Sequence, residues 1–152
     1  MTRQRRLDLV GTLLRVVVAL VLLVAGALKV TNLGQSALAV RAYQLLPYDL
    51  AGVVGYALPV VEILVGGLLL VGLFTRACAI VSALLMAAFV IGIASAWARG
   101  LSIDCGCFGG GGQIGAEQTA YPLELTRDAA LLLAASWVAW RPRTAYALDG
   151  RL

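Results

Sequence analysis

The chain has 152 residues, 61% of them hydrophobic and 13% charged, with a mean hydropathy of +0.92. A soluble domain of this size has too much surface to carry so little charge, which leaves one integral membrane domain over residues 1–152. The net charge of +4 is not arranged as a basic stripe interleaved with aromatics, which excludes nucleic acid, and the lack of any histidine removes the commonest general base, transition-metal ligand and haem ligand.

Arg3, Arg5 and Arg6 open the chain, and an apolar segment follows over residues 9–31 with Arg15 near its start. Two readings fit. One is a signal peptide, with a basic start, apolar Val16–Val24 and the small-x-small sequence Ala25-Gly26-Ala27. The other is a retained transmembrane helix of about 20 residues. The apolar pattern runs on through Leu28 and Val30 and three further membrane segments follow, which favours the retained helix. Lys29, near its end, reads most simply as a cation snorkelling to the outer surface. Within the polar connection Thr31 to Leu50, Ala37, Leu38, Val40, Arg41, Tyr43 and Leu45 suit a short interfacial helix broken before Pro47.

The second span, residues 51–74, carries Gly52, Gly55, Gly66, Gly67 and Gly72, small residues that let helices approach closely in lipid. Pro59 predicts a kink, and Glu62 falls near mid-membrane. A carboxylate there is costly, so it must face the bundle interior and find a partner or take up a proton. Its structural reading is a packing hydrogen bond to Lys29 or to a carbonyl freed by Pro59. Its functional reading is proton handling or headgroup binding. Thr75-Arg76 is the expected turn into the third span, residues 77–98, where Ala79, Ala83 and Ala87 form one small-residue stripe and Ala88, Gly92 and Ala96 another. Trp97 and Arg99 mark its exit at the interface. Cys78 opens this helix about 30 Å from its far end, so it reads as a small buried hydrophobe.

The fourth span, residues 121–140, is strictly apolar only from Ala129 to Trp140. Its outer turns therefore carry Glu124, Arg127 and Asp128 into the interfacial zone on one helical face. This cluster reads either as a salt-bridged turn or as an ionic group under the preceding loop. Arg141, Arg143 and Arg151 close the chain. Together with the N-terminal arginines and Arg76 they fall on one side of a four-span protein, which the positive-inside rule makes cytoplasmic. The expected fold is all-α: a four-helix transmembrane bundle in the cytoplasmic membrane, both termini cytoplasmic. The loop of residues 99–120 then lies outside, where disulfides persist.

That loop contains Asp104-Cys105-Gly106-Cys107-Phe108-Gly109, followed by Gly110 to Gly112. A metal site is not expected, since Zn usually takes four ligands and two adjacent thiols cannot supply them alone. With one residue between them the cysteines close only a very small ring, so their disulfide departs from relaxed geometry. Such strain raises the reduction potential and suits a relay better than a staple. Gly106 removes a Cβ from the tight turn, and the glycines after Phe108 are expected to leave the loop open to a partner. Exchange needs a thiolate, which Arg99 or Arg127 favours and Asp104 opposes. Which cysteine attacks first is not legible in the pattern.

The chain resembles the MauE branch of the DoxX-like membrane proteins. The resemblance is carried by Ala25-Gly26-Ala27-Leu28-Lys29, Tyr43-Gln44-Leu45-Leu46-Pro47, Pro59-Val60-Val61-Glu62, the Asp104-Cys105-Gly106-Cys107-Phe108-Gly109 loop and Arg127-Asp128. It implies a small four-helix protein of methylamine utilisation, needed for maturation of methylamine dehydrogenase, whose small subunit is rich in disulfides. It also implies a thioredoxin-like partner. Related DoxX-like subunits take part in quinone-linked thiosulfate oxidation, which keeps a membrane quinone as a candidate cofactor. The expectation is thiol–disulfide transfer by Cys105 and Cys107, with Arg127 favouring the thiolate and Asp104, Gly106 and Asp128 supporting. Lys29 and Glu62 form a buried polar pair or contact the quinone. The rivals are a non-catalytic assembly or scaffold subunit and a subunit of a quinone-linked oxidoreductase.

Overall fold

The computed structural model describes residues 2–150; Arg151 lies outside them. Five α-helices follow in order: α1 Arg3–Val30, α2 Leu33–Ala42, α3 Tyr48–Val71, α4 Thr75–Ala98 and α5 Tyr121–Trp140. Between α4 and α5 the chain forms a small antiparallel hairpin, β1 Ile103–Asp104 with β2 Gly112–Gln113, in which Ile103 faces Gln113 and Asp104 faces Gly112.

On α1 the buried residues Gly11, Arg15, Val18, Leu22, Ala25, Gly26 and Lys29 recur every three to four positions. They make one stripe facing the bundle. Between them Leu13, Leu20, Val24 and Leu28 are exposed, as are Val53, Val60 and Leu64 on α3 and Leu84 and Ile91 on α4. An apolar exterior of this extent is a surface for lipid. By length and composition α1, α3 and α4 are sufficient to cross a membrane. The fourth long helix, α5, has the boundaries expected from sequence and packs along α4 and α1, while α1 packs along α3. The result is the expected all-α membrane bundle.

Small residues set how close the helices come. A Cβ on Gly26 of α1 would lie 2.7 Å from Ile63 and 2.9 Å from the Pro59 carbonyl oxygen of α3. α3 continues through Pro59 to a left-handed Gly72 cap (φ +74°). The turn into α4 is therefore Gly72 to Phe74, and Thr75 and Arg76 already belong to the helix.

α2 forms where expected, with the Asn32 side chain accepting from the Gln35 amide. It does not lie free on the interface. It packs on α3 and β2, Ser36 Oγ donates to the Gly55 carbonyl at 2.7 Å, and a Cβ on Gly55 would strike the Ala37 backbone.

After α5 the chain folds back over one end of the bundle. Arg141 pairs with Asp8 at 3.4 Å, Thr12 Oγ1 donates to the Ala145 carbonyl, and the Asp149 carboxylate accepts from the amides of Phe74 and Thr75 at 2.8 and 2.7 Å. These contacts gather Arg3, Arg5, Arg6, Arg76, Arg141 and Arg143 at that end, with Cys78 in the core just inside it. The cysteine loop lies at the opposite end, against α2 and the last turn of α1.

Candidate functional site

The loop is held down at several points. Asp104 Oδ2 accepts from the Gly111 amide at 3.0 Å and Oδ1 from the Gly106 amide at 3.4 Å, which draws residues 104–111 into a closed turn. Tyr121 at the start of α5 accepts from the Ile103 amide at 3.1 Å and donates to the Leu101 carbonyl. Gln35 of α2 donates to the Gly111 carbonyl. Gly106 and Gly111 have φ of +69° and +118°, a region that L side chains rarely enter. At both, a Cβ would run into Ala39 of α2, at 2.6 Å for Gly106.

The glycine run therefore does not leave the loop open, as the sequence suggested. It lets the loop lie flat on α2, and Cys105 and Cys107 are each only 6% exposed. Both belong to one buried cluster with Tyr43, Ile93, Ala96, Ile103 and Tyr121. The exposed rim is Phe108, whose ring carries the Arg127 guanidinium 4.8 Å from its centroid.

Both cysteines are free thiols, and their surroundings differ. Cys105 is held below the ordinary thiol range. The neighbouring Cys107 thiol and amide stabilise its charged form, the amide donating at 3.3 Å, Arg127 Nη2 lies 3.7 Å away, and these outweigh burial. Cys107 is pushed far up by the adjacent Cys105 sulfur, by burial, and by negative charge on Cys105 and Asp128. Its Sγ donates to Asp128 Oδ2 at 3.7 Å. The pair thus divides into one thiolate-prone sulfur and one that keeps its proton, an asymmetry one glycine apart that sequence could not assign.

Arg127 is the cation of the site. Its Nε donates to Asp128 Oδ1 at 2.8 Å while Nη2 faces Cys105. Arg99, the other candidate, is turned away: it donates to the Tyr43 carbonyl and to Ser95. Asp104 shapes the turn through backbone amides. Glu124, noted in sequence only as part of an ionic face, is buried, with no hydrogen-bond partner for Oε2 among the described residues and a carboxylate oxygen within 4.8 Å of Cys105 Sγ and of Asp104. Those three donors have the spacing of a small divalent site, and the Arg127 guanidinium supplies positive charge to the same sulfur.

Tyr43 was not singled out as a site residue. Its hydroxyl donates to the Cys105 carbonyl at 2.9 Å. Burial, with the negative charge of the cysteines, Glu124 and Asp128, raises its pKa well above the usual phenol range, so it remains a donor. Its signals in sequence were its places in the expected interfacial helix and in the Tyr43-to-Pro47 segment.

Lys29 does not snorkel outward. Its Nζ lies 2.6 Å from Glu62 Oε1, with the two side chains 2% and 1% exposed, and 5.3 Å from the Phe89 ring centroid. This is the buried pairing that a mid-membrane carboxylate requires.

The sequence model of one protein family, described as methylamine utilisation protein MauE, matches residues 7–141, most of the chain. No curated protein and no solved structure matches it.

Proposed function

The chain belongs to the MauE family, and from that premise we propose that it is a membrane thiol–disulfide carrier of methylamine utilisation. Its partner is a thioredoxin-like or disulfide-containing protein, as maturation of a methylamine dehydrogenase-type client would require. The supporting observation is the division of labour between the two sulfurs. Cys105, with Arg127 at 3.7 Å, is the attacking thiolate, and Cys107 keeps its proton until the second step.

In the direction that takes up oxidising equivalents, the Cys105 thiolate attacks a partner disulfide. This forms a Cys105–partner disulfide and releases the partner's other thiolate. Cys107 then loses its proton and attacks the Cys105 sulfur, closing the Cys105–Cys107 disulfide and releasing the second partner thiolate. The reverse sequence delivers the disulfide to a client. Tyr43 and Arg127 position Cys105, Asp104 and Gly106 shape the turn, and Asp128 receives the Cys107 hydrogen bond.

The basic end of the bundle faces the cytoplasm under the positive-inside rule, placing the cysteine loop on the outer side of the cytoplasmic membrane. A quinone as terminal acceptor finds support in a lipid-side cavity of about 430 Å³, lined by Tyr43, Leu58, Leu85, Phe89 and Gly92 among others. Its walls suit the hydrocarbon of such a molecule, and their one hydroxyl, on Tyr43, is already donated to Cys105.

Trapping tests the carrier. Cys107→Ser should accumulate a covalent partner adduct on Cys105 that Cys105→Ser lacks. A scaffold subunit would bind the partner equally in both variants without an adduct, which would overturn the carrier reading.

A further inference from the structure

Two adjacent thiols have too few donors to hold a metal, and the fold adds carboxylates beside one of them. Asp104 from the loop and Glu124 from the first turn of α5 flank Cys105, and the three ligand atoms all lie within 4.8 Å of one another. Glu124 is 9% exposed, and its Oε2 is buried with no hydrogen-bond partner among the described residues. A buried carboxylate oxygen left unsatisfied is costly, and a cation beside it removes that cost. The other donors are already held in place. Asp104 accepts from the Gly106 and Gly111 amides at 3.4 and 3.0 Å, which leaves each oxygen a second lone pair. Tyr43 holds the Cys105 carbonyl at 2.9 Å. Tyr121 ties the start of α5 to Ile103 and Leu101, which fixes the Glu124 side of the site against the loop side. Supports of this kind orient the ligands of metal centres.

We propose that Asp104, Cys105 and Glu124 form a three-ligand site for a thiophilic divalent cation of the zinc class. One thiolate with two carboxylates suits zinc, whereas Mg²⁺ and Ca²⁺ take oxygen ligands. Zinc bonds of about 2.3 Å to sulfur and about 2.1 Å to oxygen set tetrahedral ligands about 3.6 Å apart, so the donors draw in by about 1 Å at the widest. Three protein ligands leave the fourth position to water. Arg127 stands against the ion: its Nη2 approaches the same sulfur at 3.7 Å, and Asp128 offsets part of its charge at 2.8 Å. Cys107 is not among the ligands, since its Sγ turns to Asp128. Bound there, the ion caps the Cys105 sulfur and holds it out of exchange. That consequence rests on the reading of Cys105 as the attacking thiolate, whereas binding itself does not.

The test titrates Co²⁺, then Zn²⁺, into the reduced full chain in detergent, without oxygen and with Cys78→Ala. Co²⁺ should give a sulfur-to-metal charge-transfer band that Zn²⁺ removes and Mg²⁺ does not. Cys105→Ser should lose the band and Cys107→Ser should keep it. Glu124→Gln should weaken binding by at least about 100-fold, the upper end of what losing a ligand's supporting partner costs. Arg127→Leu should tighten it by at least about tenfold, because a cation no longer faces the ion. If Glu124→Gln does not fold, the Arg127→Leu change and the dependence on Cys105 alone decide the matter. Absence of a sulfur band, or a band of equal strength in Glu124→Gln, would overturn the site. So would unchanged or weaker binding in Arg127→Leu. Each of these results leaves the carrier reading standing, since no disulfide partner is present. Conversely, a normal band with no Cys105 adduct in the trapping assay would overturn the carrier and keep the site.

Discussion

Arg127 and Cys105 give the most direct handle on the site. At 3.7 Å, a full charge pair is worth about 4 kcal/mol at the effective dielectric of a protein surface and about 1 kcal/mol in water. The Arg127 side chain is 31% exposed and shares its charge with Asp128 at 2.8 Å, which pulls the net value down to about 1–2 kcal/mol. That corresponds to about one pH unit. Cys105 is held low, so removing the cation shifts its titration upward and leaves less thiolate at neutral pH. Arg127→Leu should therefore raise the midpoint of Cys105 alkylation by about one unit and cut the rate at pH 7 about tenfold, if the thiolate's own reactivity is unchanged. The assay is iodoacetamide labelling as a function of pH in reduced protein carrying Cys78→Ala, with Cys105 quantified by peptide mass spectrometry. Loss of Arg127 also uncovers the sulfur and can raise the plateau, so the midpoint is the deciding quantity. A midpoint that stays put or falls refutes Arg127 as the stabiliser of the thiolate.

Three further outcomes are expected. Lys29→Met strands Glu62 in the core and should destabilise the detergent-solubilised protein by about 3–5 kcal/mol, whereas Lys29→Met with Glu62→Met should recover most of it, by thermal unfolding. Gly111→Ala drives a Cβ into Ala39 at φ +118°, and should loosen the loop enough to raise reagent access to both cysteines, with the Ala39→Gly double variant partly reversing it. Asp149→Ala removes the cap on α4 and should cost about 1 kcal/mol. The amides of Thr75 and Phe74 hold Asp149 below the usual carboxylate range, so this contribution is present above the unfolded value near pH 4 and fades as pH falls through the folded one. The variant and parent should converge in acid.

What could be read from the chain followed from local chemistry. The boundaries of α5, the apolar faces of α1, α3 and α4, and the inward demand of Glu62 each depend on a residue and its near neighbours. The expectation of exchange chemistry from the Cys105-Gly106-Cys107 spacing was likewise drawn without reference to the rest of the fold. The rest was decided where a residue had several partners within reach. Arg99 and Arg127 were both within reach of the loop by sequence, with Arg127 preferred, and the packing of α4 turns the first toward Tyr43 while α5 points the second at Cys105. Lys29 could snorkel to the surface or pair with Glu62 by sequence, and the close approach of α1 and α3 at Gly26 goes with the pair, at 2.6 Å.

Sequence alone therefore determined that the chain is a helical membrane bundle carrying one dithiol motif and one acid within an apolar helix, because hydropathy, period and cysteine spacing are local properties. Tertiary structure decided that the dithiol is buried, that its two sulfurs differ, and that the acid is held by Lys29 inside the bundle. Those facts depend on Tyr43 meeting Cys105 across 62 positions and Gln35 meeting Gly111 across 76. Contacts of that span are fixed by how closely glycine-lined helices can approach, and no stretch of the chain encodes them by itself.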